Sequence, residues 1–261
     1  MSAASGVACP AAQQQKVGSE GSSADTCAII AAGGVGERFG YAKGKQYVEL
    51  CGLPLISWAV LAFDRAPSVR HIVVVCPVGR VVETRDIILG SLSLDKPITF
   101  AEAGETRQDS VMNGLAAVPE GCTFVAIHDG ARPLITVDSI ERCLETLRTD
   151  AELDGAICAS RCIDTLKLVE GGDIVATPDR SFYWCAQTPQ CFRRQTIVEA
   201  HRAALRDGHV GTDDASLVER LGGRVRCVET PRDNIKVTLP EDLAVAEASM
   251  RQRLGSEGCG L

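Results

Sequence analysis

An apolar run, Cys27-Ala-Ile-Ile-Ala-Ala32, breaks directly into Gly33-Gly34-Val35-Gly36, and the chain then delivers Arg38, Lys43 and Lys45. A short continuous apolar run reads as a strand covered on both faces, which places it in a parallel sheet flanked by helices. Small residues just after it let backbone N–H groups approach anionic oxygens, and nearby cations can offset charge that builds during phosphoryl or nucleotidyl transfer. Two better-known glycine loops fit poorly. In Gly34-Val-Gly36-Glu-Arg-Phe39 the last position of a dinucleotide fingerprint is Phe, and the pair Gly44-Lys45 lacks both the first Gly and the Ser or Thr of a P-loop.

The alternation behind this turn sets the fold class. A helix is expected over 54–66, with Ile56, Ala59, Val60 and Phe63 on one face, then a β-branched strand over 71–76. Helix near 79–89, strand 98–103, helix 108–117, strand 123–128, helix 139–147 and strand 155–159 continue the series. Helices near 193–206 and 214–221, strands at 224–229 and 234–237, and a last helix capped by Thr238 and Glu241 complete it. With 261 residues, 45% of them hydrophobic, one α/β domain over 26–254 is expected: a mainly parallel twisted sheet, helices on both faces, ligand beyond the carboxyl ends of the strands. Residues 1–25, rich in Ala, Ser, Gln and Gly, read as a disordered tail, and 255–261 as a frayed end.

The rhythm changes at Asp164. Two strand-like runs, 165–169 and 173–177, flank Glu170-Gly-Gly172 and read as a hairpin inserted around 160–186. An isolated two-stranded hairpin is marginal in water, so a second subunit is its natural support.

The formal charge of −7 argues against a nucleic-acid surface, so an anionic small ligand needs a local basic cluster. The twelve cysteines include no C-x-x-C pair and often sit in apolar runs such as Ile72-Val-Val-Val-Cys76, which suits reduced core residues in a cytoplasmic protein. No run approaches the ~20 apolar residues of a membrane span.

Further polar segments fall where this sheet presents residues to a ligand. His128-Asp-Gly-Ala-Arg132-Pro133 follows a strand, so Asp129 can hold Mg²⁺ or a substrate hydroxyl and Arg132 can grip a phosphate, although a turn ion pair between the two is the plainer reading. Gly104-Glu-Thr-Arg107-Gln-Asp-Ser110 offers exposed amides and a hydroxyl, or simply an N-cap. Asp164-Thr-Leu-Lys167, Asp179-Arg180, Gln187-Thr-Pro-Gln190, Gly211-Thr-Asp-Asp214 and Asn234-Ile-Lys236-Val-Thr238 follow.

In this order, over roughly 27–254, these segments resemble the 2-C-methyl-D-erythritol 4-phosphate cytidylyltransferase family. The resemblance implies a Rossmann-like nucleotidyltransferase fold with the hairpin as a dimerisation arm. It also implies transfer of CMP from CTP to the erythritol phosphate with release of pyrophosphate. Ala31, Ala32, Gly33, Gly36, Gly104, Glu105, Arg107 and Ser110 would then hold CTP, while Arg38 and Lys45 stabilise the transition state at the α-phosphate. Asp129, Gly130, Arg132, Thr188, Thr212 and Lys236 would position the sugar-alcohol phosphate, with Lys236 among the catalytic cations. Thr165 and a catalytic Arg180 would reach in from the partner of a homodimer. Mg²⁺ would be held mainly by the CTP phosphates, with Asp129 a candidate ligand. One departure stands out: Gly44 occupies the position where the family usually has Pro.

A phosphate monoester, with its second pKa near 6, is already largely anionic at neutral pH, so the attack needs no general base. Positioning and charge neutralisation suffice, which explains the lack of a nucleophilic Ser or Cys constellation. Two alternatives remain at this stage: ribitol 5-phosphate cytidylyltransferase, which shares the glycine loop and general fold, and a non-catalytic nucleotide-binding module.

Overall fold

In the computed structural model, residues 24–34, 39 and 44–256 are described. The expected tail up to residue 23, the calls on Gly36, Arg38 and Lys43, and residues 257–261 lie outside them.

The first strand, β1 (Thr26–Ala31), is followed by a small ribbon of β2 (Glu49–Leu50) and β3 (Leu53–Pro54), then α1 (Leu55–Arg65) and β4 (Val69–Cys76). The alternation continues through α2 (Val81–Ser91), β5 (Ile98–Glu102), α3 (Arg107–Ala116), β6 (Phe124–Asp129), α4 (Val137–Thr149) and β7 (Gly155–Arg161). The hairpin β8 (Leu168–Glu170) and β9 (Asp173–Ala176) comes next, then β10 (Trp184–Arg193), α5 (Arg194–Arg206), α6 (Asp214–Arg220), β11 (Val225–Glu229) and α7 (Pro240–Ser256). Helix α7 thus carries on past Leu254, where a frayed end was expected.

Seven strands form one sheet in the order β11-β7-β10-β6-β1-β4-β5. Every neighbouring pair is parallel except those of β10, which runs against both β6 and β7. The sheet is therefore mainly parallel, as the alternation predicts. Its central strands are buried on both faces, and successive residues serve opposite layers. Ala28 and Ile30 pack with Ile56, Val60 and Phe63 of α1 and Ile140, Leu144 and Leu147 of α4. Cys27 and Ile29 pack with Val111 and Leu115 of α3, Ile197 and Ala200 of α5, and Leu217 of α6. Each fully buried Ile or Phe side chain contributes about 1.5–3 kcal/mol, so the two layers fix the register of β1 against its neighbours. Helix α3 can lie close because Gly114 has no side chain: a Cβ there would fall 2.6 Å from Cγ2 of Ile29. A third cluster joins Ala246 and Met250 of α7 to Leu50, Leu55, Trp58 and Val237.

Two polar clamps brace this frame. The Lys96 ammonium donates to the carbonyls of Phe63 at 3.0 Å, Ala66 at 2.6 Å and Asp64, closing the C-terminus of α1. The Arg148 guanidinium donates to Oγ of Ser68 at 2.6 Å and to Oδ1 of Asp25 at 2.5 Å.

Two expectations are corrected, and one strand has no counterpart in the sequence reading. The segment Trp184–Arg193, to which the sequence pattern assigns no element, is a strand inside the sheet, between β7 and β6. The segment 234–237, read as a strand, is irregular, because its polar groups bond outside any ladder: Val237 N–H donates to the Ala131 carbonyl at 2.8 Å, and the Asn234 side chain donates to Gln187 and Thr188. The cap of α7 comes from Asp242, whose carboxylate accepts from Thr238 N–H and Leu239 N–H, both at 2.8 Å, rather than from the Thr238 and Glu241 pair.

Candidate active site

Register brings the ends of the parallel strands to one edge: Ala31 lies opposite Val75 on one side and Asp129 on the other. Gly130 N–H donates to the Ala31 carbonyl at 2.9 Å, and Ala103 N–H to the Cys76 carbonyl at 2.8 Å, so the loops after β1, β5 and β6 leave the sheet side by side. Close approach here excludes side chains. A Cβ on Gly33 would fall 2.3 Å from that of Ala103, and one on Gly104 2.3 Å from that of Asp109. Thr106 and Asp109 form a reciprocal cap at the start of α3, and Ser110 Oγ accepts from Gly104 N–H at 3.2 Å. The N-cap reading of this segment is thus correct, and it also shapes a wall.

Two cavities open at this edge. The first, about 260 Å³, is lined by Ala31, Ala32, Gly33, Lys45, Gly104, Glu105, Arg107, Ser110 and Gly130, together with Gly34, Gln46, Thr106, Ala131, Asp129 and Lys236. The second, about 310 Å³, is lined by Arg132, Thr188 and Thr212, with Ala186, Gln187, Gln190, Asp213, Arg107, Asp129 and Lys236. Arg107, Asp129 and Lys236 belong to both, so the chambers meet at this trio. A larger cavity of about 760 Å³ lies at the opposite end of the sheet, but Arg193 and Arg194 in its wall are committed to backbone carbonyls.

Asp129 organises the junction. Its carboxylate lies 2.8 Å from Lys236 Nζ, 3.4 Å from Arg107 Nε and 3.7 Å from Arg132 Nε. Burial opposes its ionisation, yet Lys236, Arg107 and Arg132 outweigh burial and hold the carboxyl well below the usual range. The Asp129–Arg132 turn pair read from the sequence exists, but it is the longest of the three contacts. Arg132 also donates from Nη1 to the Asn234 carbonyl at 2.8 Å.

The neighbouring His128 is fully buried, and burial draws its pKa down to about 4. Thr188 Oγ1 accepts from Asp129 N–H at 3.0 Å, so its hydroxyl hydrogen serves His128 Nδ1, also at 3.0 Å. Nε2 then carries the imidazole proton and donates to the Arg132 carbonyl at 3.1 Å. This neutral relay fixes the turn that presents Asp129 and Arg132.

Lys236 is delivered by a loop tied to β10. Asn234 Nδ2 donates to Gln187 Oε1 at 3.1 Å and to the Thr188 carbonyl at 2.9 Å, and Thr230 Oγ1 donates to Gln187 Oε1 at 3.1 Å. Lys45 reaches the same loop, donating to the Val237 carbonyl at 3.0 Å. Lys45, Arg107, Arg132 and Lys236 thus converge, whereas Thr165 and Arg180 line neither chamber within their own chain and lie exposed near the hairpin, with Arg180 donating to the Ile163 carbonyl.

Two contributors received no role from the sequence. Gln46 is 3% exposed, lines the first chamber, and has no hydrogen-bond partner for Nε2 among the described residues; its signal was its place in the run Lys45-Gln46-Tyr47. Gln190 donates to Asp213 at 2.7 Å and accepts from Ala215 N–H at 3.0 Å, tying β10 to α6. Both oxygens of Asp129 face cations, Arg107 at one and Lys236 at the other, so within the protein its carboxylate anchors these two side chains.

The family model for 2-C-methyl-D-erythritol 4-phosphate cytidylyltransferase (IspD) matches residues 26–252. The chain belongs to this family. This cytidylyltransferase is 42% identical to the enzyme of that name from Geobacter metallireducens over 87% of this chain and 98% of the relative. It is 45% identical to the one from Syntrophotalea carbinolica, over 84% and 94%. Among solved structures, the Anaerococcus prevotii 4-diphosphocytidyl-2C-methyl-D-erythritol synthase superposes with a TM-score of 0.76 at 26% identity, covering 87% of this chain and 98% of that one. The Thermus thermophilus cytidylyltransferase gives 0.69 at 31%, over 86% and 98%. The cytidylyltransferase is accordingly a nucleotidyltransferase on an α/β frame, and among its described residues no helix is long and apolar enough to cross a membrane.

Proposed function

We propose that the two chambers divide the two substrates of the family's reaction, the transfer of CMP from CTP to 2-C-methyl-D-erythritol 4-phosphate with release of pyrophosphate. CTP takes the glycine-walled chamber, where the missing side chains at Gly33 and Gly104 let the backbone come close to the nucleotide and Gln46 presents a buried side-chain amide. The erythritol phosphate takes the chamber of Arg132, Thr188 and Thr212, where a guanidinium suits its phosphate. The observation that carries this reading is the sharing of Arg107, Asp129 and Lys236 by both chambers. The phosphate of one substrate then meets the α-phosphate of the other beside Lys236.

The acceptor phosphate attacks in line as an anion, so the protein orients and neutralises rather than moves a proton. Lys45 and Lys236 offset the charge gained at the α-phosphate, a role the family resemblance also gives to Arg38. Mg²⁺ would be held mainly by the triphosphate and would supply further charge neutralisation for the departing pyrophosphate.

The hairpin serves as the arm of a homodimer in the cytoplasm, bringing Thr165 and Arg180 to the partner's acceptor chamber. Exposure supports this: Leu168, Val169, Ile174, Val175 and Phe182 are each about half or more in solvent, which an isolated hairpin cannot sustain. The test is pyrophosphate release with CTP and Mg²⁺ in the presence of either the erythritol phosphate or ribitol 5-phosphate. Release with the erythritol phosphate alone is expected. Equal release with ribitol 5-phosphate would overturn the substrate assignment, and a monomer by light scattering at micromolar concentration would overturn the arm.

A further inference from the structure

From Arg107 of the shared trio a chain of ionic contacts runs inward to Asp214 and His201, which line neither chamber. Arg107, the first residue of α3, donates from Nη2 to Asp214 Oδ2 at 2.8 Å while its Nε faces Asp129 at 3.4 Å. Asp214 is 1% exposed and opens α6; its other oxygen accepts from His201 Nε2 at 3.1 Å. Burial alone would raise the Asp214 pKa, but the His201 hydrogen bond and Arg107 outweigh it and keep the carboxyl ionised below its ordinary value. A buried carboxylate bound on both sides is expensive unless both partners stay in place.

The contacts link two walls. Arg107 sits in the Gly104–Ser110 wall of the first chamber, and Asp214 directly follows Thr212 and Asp213 in the wall of the second. Gln108 adds a parallel tie, donating to the His209 carbonyl and accepting from Gly211 N–H, both at 3.1 Å. That tie holds the 209–211 loop but does not aim the Arg107 guanidinium; among the described residues the two carboxylates do that.

We propose that Asp214 is a positioning residue that acts through Arg107, so that closing one chamber around its phosphates sets Arg107, and through it Asp129 and Lys236, for the other substrate. Occupation of the nucleotide chamber is thereby coupled to affinity in the acceptor chamber, and Asp214 transmits the coupling. This rests on the division of substrates proposed above. Couplings of this kind lie in the range of about 5- to 150-fold.

The experiment is initial-rate kinetics on the full chain with Mg²⁺, varying CTP and the erythritol phosphate against each other. In wild type, the acceptor KM is expected to fall about fivefold or more between low and saturating CTP. In Asp214→Asn the factor falls to within about twofold, with the KM for CTP changed less than the acceptor KM. Arg107→Lys keeps the charge but spans only one carboxylate, and it reproduces the lost coupling with Asp214 intact, so the test stands even where Asp214→Asn folds poorly. In the double variant the two changes cost no more than either alone. Preserved coupling in Arg107→Lys, or independent multiplicative losses in the double variant, would overturn the proposal. No acceptor-dependent turnover by wild type would instead overturn the division of substrates on which it rests.

Discussion

Replacing Asp129 by Asn removes one negative charge from the midst of three cations and leaves the shape nearly unchanged. At an effective dielectric near 20, two unit charges 2.8 Å apart, the Lys236 separation, attract by about 6 kcal/mol before desolvation. Lys236 and Arg107 are 41% and 35% exposed, so screening cuts the net loss to about 2–3 kcal/mol, below the 3–5 typical of a fully buried broken pair. Urea denaturation near pH 7 should show that loss. Because the carboxyl titrates lower in the folded chain than its ordinary 3.8, the stability it adds is complete above about pH 5 and is lost as pH falls through the folded value. The wild-type and Asp129→Asn curves should therefore run parallel at neutral pH and approach one another in strong acid. Catalysis responds differently. Lys236 and Arg107 lose their anchor, and kcat should fall ~10²-fold, about 2.7 kcal/mol of transition-state stabilisation. The site meanwhile gains net positive charge, so CTP affinity by isothermal titration should hold or tighten. A variant that matches wild type in urea while losing CTP affinity in step with kcat would refute this account, since it would make Asp129 a ligand to the nucleotide rather than an organiser of cations.

Other consequences follow from the same geometry. Lys45→Ala should lower kcat by ~10²-fold or more while CTP binding weakens less, as measured by steady-state kinetics beside titration calorimetry. His128 titrates lower in the folded chain, at about 4 against 6.5, so the folded state loses up to about 3 kcal/mol from this group as pH drops from 6.5 to 4; His128→Gln should flatten that part of the urea midpoint curve. Lys96→Met should cost about 1–3 kcal/mol by stranding the carbonyls at the end of α1, with kcat unchanged because Lys96 touches neither chamber.

Periodicity made most of the frame legible: the apolar runs around Ile29 and Val74 and the helical face through Ile56, Val60 and Phe63 behave as elementary burial requires. It failed at β10, where Gln187, Thr188, Pro189 and Gln190 carry polarity and a proline into a central strand. The register with β7 shifts between Ala186 and Gln190, and in that break the polar side chains turn to the site and its bracing network instead of the core. The segment around Asn234 failed in the opposite sense: alternating polar and branched residues suggested a strand, yet side-chain amides supply its bonds. Of the trio at the chamber junction, the sequence pattern itself pointed only to Asp129, at the end of an apolar strand, while Arg107 and Lys236 took their roles from the family resemblance. The geometry of the trio was not readable, since Arg107, Asp129 and Lys236 are distant in sequence and only the fold brings them within an ion pair of one another.

Because β10 runs against its neighbours, the strand that follows the hairpin begins, rather than ends, at the substrate rim, close to where β7 finishes. Both roots of the hairpin are therefore planted beside the reaction space, and no part of the excursion has to cross the hydrophobic layers to return. Evolution can lengthen, shorten or redecorate that excursion without retooling the interior. A pull on it is taken first by the pairing of Trp184, Cys185 and Ala186 with β7, and behind that by Gln187 and Thr188, the residues that steady the acceptor floor.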